Sequence, residues 1–188
     1  MDVVGEVNVI VRRAQRAGGT ATSRLLSVCE AVRAISDIDA TDPITFRYQE
    51  YVIVPGLSLH LTREAEILER IRGLEIAAAP ELVALVPLAQ GEEVLISRYW
   101  ACPGEKLAPV NSTTAPFWEE ATRRLRRELE RLADHGMMHP YARGFHHWLV
   151  ASQTGTLVLN GWSALRPCSR EDSNDLLKKV DWLLSNRR

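Results

Sequence analysis

Between His135 and Arg170 this 188-residue chain has no aspartate, no glutamate and no lysine. Lysine is scarce throughout: Lys106, Lys178 and Lys179 are the only three, and none precedes position 106. Chemistry that needs a carboxylate or an amine in those stretches is excluded there. Cysteine is limited to Cys29, Cys102 and Cys168, widely spaced and without a CxxC. That argues against a disulfide framework and suits a reducing cytosol. No apolar run approaches the roughly 18 residues that span a bilayer. The opening MDVVGEVNVIVRRAQ lacks a positive stretch followed by an apolar core, so no ordinary secretory signal is expected. A cytoplasmic location is the expectation, with specialised export as an effector still compatible. The formal net charge of -1 gives no electrostatic case for nucleic acid or membrane as partner.

What is there reads as an α+β chain. Residues 1–43 form an N-terminal helical extension, in which the type of Val3–Ile38 is open apart from one expected helix at Ser23–Ile35. Residues 44–100 are β-rich. Ile44–Leu59 is expected to be a strand pair broken at Pro55-Gly56, and Leu82–Pro87 and Glu93–Trp100 a hairpin turning near Gln90-Gly91. Between them Thr62–Gly73 has helical spacing, with Thr62 as N-cap and Glu64 in the first turn. Cys102-Pro103-Gly104 breaks the pattern. Residues 101–188 are mainly helical. Thr114–His135 carries an apolar stripe of Phe117, Ala121, Leu125, Leu129 and Leu132, and Asp172–Ser185 closes the chain on Leu176, Leu177, Val180, Leu183 and Leu184.

The acid-free segment reads HGMMHPYARGFHHWLVASQTGTLVLNGWSALRPCSR. A His-Pro turn, a short apolar run, a polar turn and a second apolar run ending in Gly-Trp resemble the catalytic and metal-binding loops of the protein-kinase-like fold. In its small bacterial and aminoglycoside-phosphotransferase branch the matching stretch looks like HPDLRPGNWLV, a turn, then LVLIDW. The resemblance implies a two-lobed scaffold with a truncated C-lobe, since 26 residues follow Trp162. It also implies degenerate chemistry. Tyr141 stands at the catalytic Asp, His146 or His147 at the metal-binding Asn, and Gly161 at the metal-binding Asp. Phosphoryl transfer works through positioned, metal-bound phosphates, and magnesium prefers carboxylate and phosphate oxygens. The small-lobe Lys is absent as well, with Val54 or Pro55 near its position. Its partner on the following helix would be Glu64 or Glu66.

No catalytic, cofactor-binding or metal-binding residue is therefore assigned, and no cofactor is expected. The expected function is that of a pseudokinase, a regulator, inhibitor, immunity or effector-type protein that binds a protein partner. One alternative is a kinase-like transferase holding nucleotide in a non-standard way. Another is a metal module built on His135, His139, His146 and His147. The i, i+4 spacing of the first two suits zinc on a helix, but Gly136 and Pro140 suggest that the helix ends there. Gly18-Gly19-Thr20-Ala21-Thr22-Ser23 lacks the lysine of a phosphate-binding loop and reads as a linker with a hydroxyl N-cap. The basic run Arg123–Arg127 lies among glutamates and reads as a solvated helix face.

Overall fold

The computed structural model describes residues 2–36, 45–89, 91–110, 118–143 and 148–185. Among these the chain is mixed α+β, with five helices and antiparallel sheets.

The N-terminal segment is helical from the start. Helices α1 (Val3–Ala17) and α2 (Ala21–Ile35) form a hairpin capped by Asp2, whose carboxylate accepts from Gly5 N at 3.0 Å, and by Thr20, which accepts from Ser23 N at 3.2 Å. Thr20 is thus the hydroxyl cap expected of the linker. Val3, Val7, Val11 and Ala14 recur at helical spacing and are buried. The valines do not break the helix because each buries its branched side chain, outweighing a weak intrinsic cost.

A four-stranded sheet in the order β1-β2-β4-β3 receives this hairpin. Its strands are β1 (Phe46–Tyr48), β2 (Tyr51–Leu57), β3 (Glu81–Ala89) and β4 (Glu92–Arg98). The expected break at Pro55-Gly56 is displaced. The chain turns at Gln49-Glu50, with Gln49 at φ 51°, and β2 runs on through Pro55, opposite Val94. Pro55 is held on the β4 side, and the described part of β1 pairs as far as Ile53.

Helix α3 (Ser58–Ile71) starts directly from β2, four residues before the predicted cap. Thr62 does not cap it. Its hydroxyl donates to Glu93 Oε2 at 3.1 Å and meets Ser58 Oγ at 3.3 Å, tying the helix to the sheet instead. Leu61, Ala65, Leu68 and Ile71 form the buried stripe.

Strand alternation divides the sheet. Phe46, Ile53, Val86, Val94 and Ile96 face α1 and α2. Val52, Val54, Leu82, Leu85 and Leu95 face the other way, toward α3 and a second sheet. That sheet, of order β5-β7-β8, comprises β5 (Leu107–Pro109), β7 (Trp148–Ala151) and β8 (Leu157–Leu159); the strand between them in sequence, β6 (Met137–Met138), pairs instead with β9 (Arg166–Pro167). Helices α4 (Trp118–Asp134) and α5 (Arg170–Ser185) pack beneath it in the largest apolar cluster. Leu125, Leu129 and Leu132 are buried as the stripe predicts, Ala121 packs against them, and Leu176 and Val180 join from α5. Phe117, residues 114–117 of the predicted helix, Gln90 and the side chains of Leu183 and Leu184 lie outside the described residues.

The Arg123–Arg127 run forms ion pairs with Glu119, Glu120, Glu128 and Glu130, and Arg126 also reaches Asp181 on α5 at 2.6 Å. Two α4 side chains grip the segment between α3 and β3. Glu128, buried, accepts from Ala78 N at 2.7 Å, and Arg131 donates to the carbonyls of Leu74 and Glu75 at 2.8 and 3.0 Å. Ala78 O in turn accepts from Leu159 N at 2.9 Å, joining this segment to β8.

Candidate functional site

The acid-free segment folds around His139. Its ring, fully buried, stands edge-on to Trp162 with centroids 4.6 Å apart and edge-on to Tyr141 at 5.9 Å. Trp162, also fully buried, opens a 3-10 turn (Trp162–Ala164) just after β8 and donates its indole N–H to Leu159 O at 2.8 Å. Both apolar runs thus serve as strands of the second sheet, β7 beginning with the buried Trp148 and β8 ending just before Trp162.

Tyr141 and Gly161, twenty positions apart, are brought into contact. Gly161 has φ 76° and ψ 47°, a left-handed conformation that costs a side-chain-bearing residue about 1 kcal/mol or more. A Cβ placed there would stand 3.0 Å from Tyr141 Cδ2 and 3.1 Å from Cε2. The tyrosine ring, itself partly exposed, lies where a side chain at 161 would project. Neither position offers the oxygen set that magnesium requires, so these two residues do not fit that metal. His146 and His147 lie outside the described residues.

Of the two candidate glutamates on α3, Glu64 points inward and Glu66 is exposed. Glu64 accepts from Ser163 N at 3.4 Å, which joins α3 to the turn after Gly161. Burial pushes its carboxyl pKa above the usual range, and the Ser163 and Trp162 amides partly offset this. Val54 is packed among apolar neighbours of both sheets, so nothing at that position could hold a phosphate.

Sequence reasoning missed the polar residues on this face of the sheet. Tyr99 is buried, and its hydroxyl donates to Leu159 O and to Asn160 Oδ1, the latter at 3.3 Å. Burial, then the Glu64 charge, drive its phenol well above the ordinary value, while Arg47 opposes them. Arg47 was legible in principle. Phe46 and Tyr48 both face α1 and α2, so alternation directs Arg47 to the opposite side. Glu105 accepts from Gln153 N at 2.8 Å and Thr154 N at 3.0 Å, fixing the β7–β8 turn.

The space between the two sheets is filled. Val52 from the first sheet, Tyr99 and Cys102 from the connection after β4, and Leu107, Leu149 and Val158 from the second sheet form one buried cluster. Burial, with the Glu105 charge adding to it, raises the Cys102 thiol to about 11, so it stays protonated and unreactive at neutral pH. Family models and curated proteins return no match to this chain. Its chemistry therefore has to be read from the geometry.

That geometry offers little to a metal. Among the described residues no group of three or more His, Cys, Asp or Glu side chains could hold an ion. His135 is exposed at the end of α4, its Nδ1 2.9 Å from Arg131 O, while His139 is enclosed by aromatic rings. The helix does end at Asp134, so the two do not share a helical face. The described residues combine a rigid aromatic corner, a carboxylate tied to a backbone amide, and an apolar seam. Such parts hold a fold together.

Proposed function

We propose that this chain is a protein-kinase-like scaffold that has lost phosphoryl transfer and acts by binding a protein partner, as a regulator, inhibitor, immunity or effector-type component of the cytoplasm. On this reading the β1–β4 sheet with α3 is the small lobe, the segment after Arg98 is the hinge, and the second sheet with α4 and α5 is a reduced large lobe. Support comes from the chain order of strand, helix and hairpin, and from Glu64 reaching the loop after β8, as a partner glutamate would. The observation that carries the loss of activity is Tyr141 packed on Gly161, the two positions where catalytic and metal-binding carboxylates would stand. The apolar seam where adenine would insert agrees with it. Three free cysteines suit a reducing compartment, and among the described residues no helix is long and apolar enough to cross a membrane.

The transferase alternative has Arg47 in its favour, a cation on the inner face of the sheet. Arg47 is already engaged within the fold, and no loop carboxylate accompanies it. Thermal unfolding with and without millimolar Mg-ATP decides between the two. A micromolar site would add about 4 kcal/mol at a thousandfold excess, so a clear magnesium-dependent rise in Tm would overturn the inactive reading. No rise is expected.

A further inference from the structure

A cleft of about 480 Å³ opens beside the C-terminal half of α3, away from the aromatic corner. Its walls are Leu68 and Ile71 from α3, Ile76 and Ala79 from the following segment, Leu82 from β3, and Trp100 just after β4. Trp100 is 44% exposed, an unusual amount for the largest apolar side chain. The volume falls within the range of ligand pockets, roughly 300–1,000 Å³, and suits one large side chain with its flanking backbone.

The charges at the mouth are unevenly spent. Arg72 pairs with Glu69 at 3.3 Å and with Glu81 at 3.0 Å, and Glu81 also holds Arg98 at 3.0 Å. Arg131 uses its guanidinium on the carbonyls of Leu74 and Glu75. The Glu75 side chain is exposed and makes no ion pair among the described residues. Its backbone sits in the left-handed region at φ 51°, clamped there by Arg131. Three glutamates and one arginine line the cleft, and the Glu75 carboxylate, on a backbone fixed by Arg131, makes no ion pair among the described residues.

We propose that this cleft receives a large apolar side chain of the partner protein, from a segment carrying Lys or Arg beside that anchor. The proposal rests on the protein-binding reading above and names where and what the chain binds. Apolar walls supply the anchor's burial, and Glu75 meets the flanking cation, which is charge complementarity of the kind that selects partners.

The test uses the full chain labelled with 5-fluorotryptophan, whose ¹⁹F resonance for Trp100 is identified by its loss in Trp100→Phe. The probes are the peptides acetyl-Gly-Lys-Phe-Leu-Lys-Gly-amide and acetyl-Gly-Glu-Phe-Leu-Glu-Gly-amide. The lysine peptide is expected to shift the Trp100 resonance saturably, at a half-saturation about tenfold below that of the glutamate peptide. Glu75→Gln, a surface change that leaves the walls intact, is expected to raise that half-saturation about threefold. Equal response to both peptides, or no response of Trp100 to either, would overturn the proposal. A Mg-ATP-dependent rise in Tm alongside an intact peptide response would remove the inactive-kinase reading alone. Silent peptides with no ATP effect would remove the cleft assignment alone.

Discussion

The four-stranded sheet is finished differently on its two faces. Toward α1 and α2 it presents Phe46, Ile53, Val86, Val94 and Ile96 to a row of valines, with a buried ion pair, Arg24 to Glu92 at 3.4 Å, at the start of β4. Toward α3 and the second sheet, Val52, Val54, Leu82, Leu85 and Leu95 share the space with Arg47 of β1, Glu64 of α3, and Tyr99 and Cys102 of the connection after β4. Apolar faces need only volume and pattern, and they tolerate exchange of similar residues. A face with buried polar groups needs each of them satisfied, because an orphaned one costs about 1–3 kcal/mol. The outer face asks this of the Arg24–Glu92 pair, and the inner face of Arg47, Tyr99 and Glu64.

Truncation is the strongest way to probe that difference. Trp162→Ala on the inner side should cost about 3–5 kcal/mol, and Trp148→Ala, also fully buried, about the same. Val7→Ala on the outer side should cost about 2 kcal/mol. Urea unfolding of the variants measures these values, and a larger loss for Val7→Ala would reverse the comparison. Next comes Glu128→Ala, which leaves Ala78 N without its acceptor. A loss of about 1–3 kcal/mol is expected, with Glu128→Gln retaining most of the stability because its amide oxygen can still accept.

A smaller effect is expected for Gly161→Asp. Left-handed backbone and the Tyr141 ring together should cost about 1–2 kcal/mol, without ATP turnover. In the Tyr141→Ala background the same change should cost less, and a double-mutant cycle measures the coupling. Turnover in the single variant would restore the enzyme reading.

The smallest effect is in the pH profile. Burial raises the Glu64 carboxyl above its ordinary value, so the folded state holds that proton more tightly than the unfolded one. The resulting stability is complete below the ordinary glutamate value and is lost as pH rises through the raised one. Glu64→Gln removes this slope. Relative to wild type, the variant should gain stability between pH 4 and pH 7; denaturant midpoints at the two values that moved the opposite way would refute the burial argument.

Much of the architecture was legible because helix and strand periods are local. The stripes of α4 and α5 and the β3–β4 hairpin follow from spacing alone. The turn at Gln49-Glu50 was not, because Pro55-Gly56 is the stronger local break signal, and the run of β2 through Pro55 depends on its pairing with β4, a tertiary fact. Helix α1 was obscured by valines whose burial outweighs their propensity. At the candidate site, the sequence named Tyr141 and Gly161 separately. Their contact depends on a connection of twenty positions, and no periodicity reports it. Glu128 escaped notice because a glutamate on a charged helix looks solvated until a backbone amide of another segment is found against it.

The ring of Tyr141 over Gly161 also bears on how this chain can vary. A side chain at 161 has room only once the ring of 141 has shifted or been given up, whereas 141 can shrink at any time. The two positions are epistatic, and the order of substitution matters. Libraries that vary one site at a time will undercount the side chains that 161 accepts, although its left-handed backbone disfavours each of them by about 1 kcal/mol whatever stands at 141. Paired libraries at 141 and 161 would reveal them.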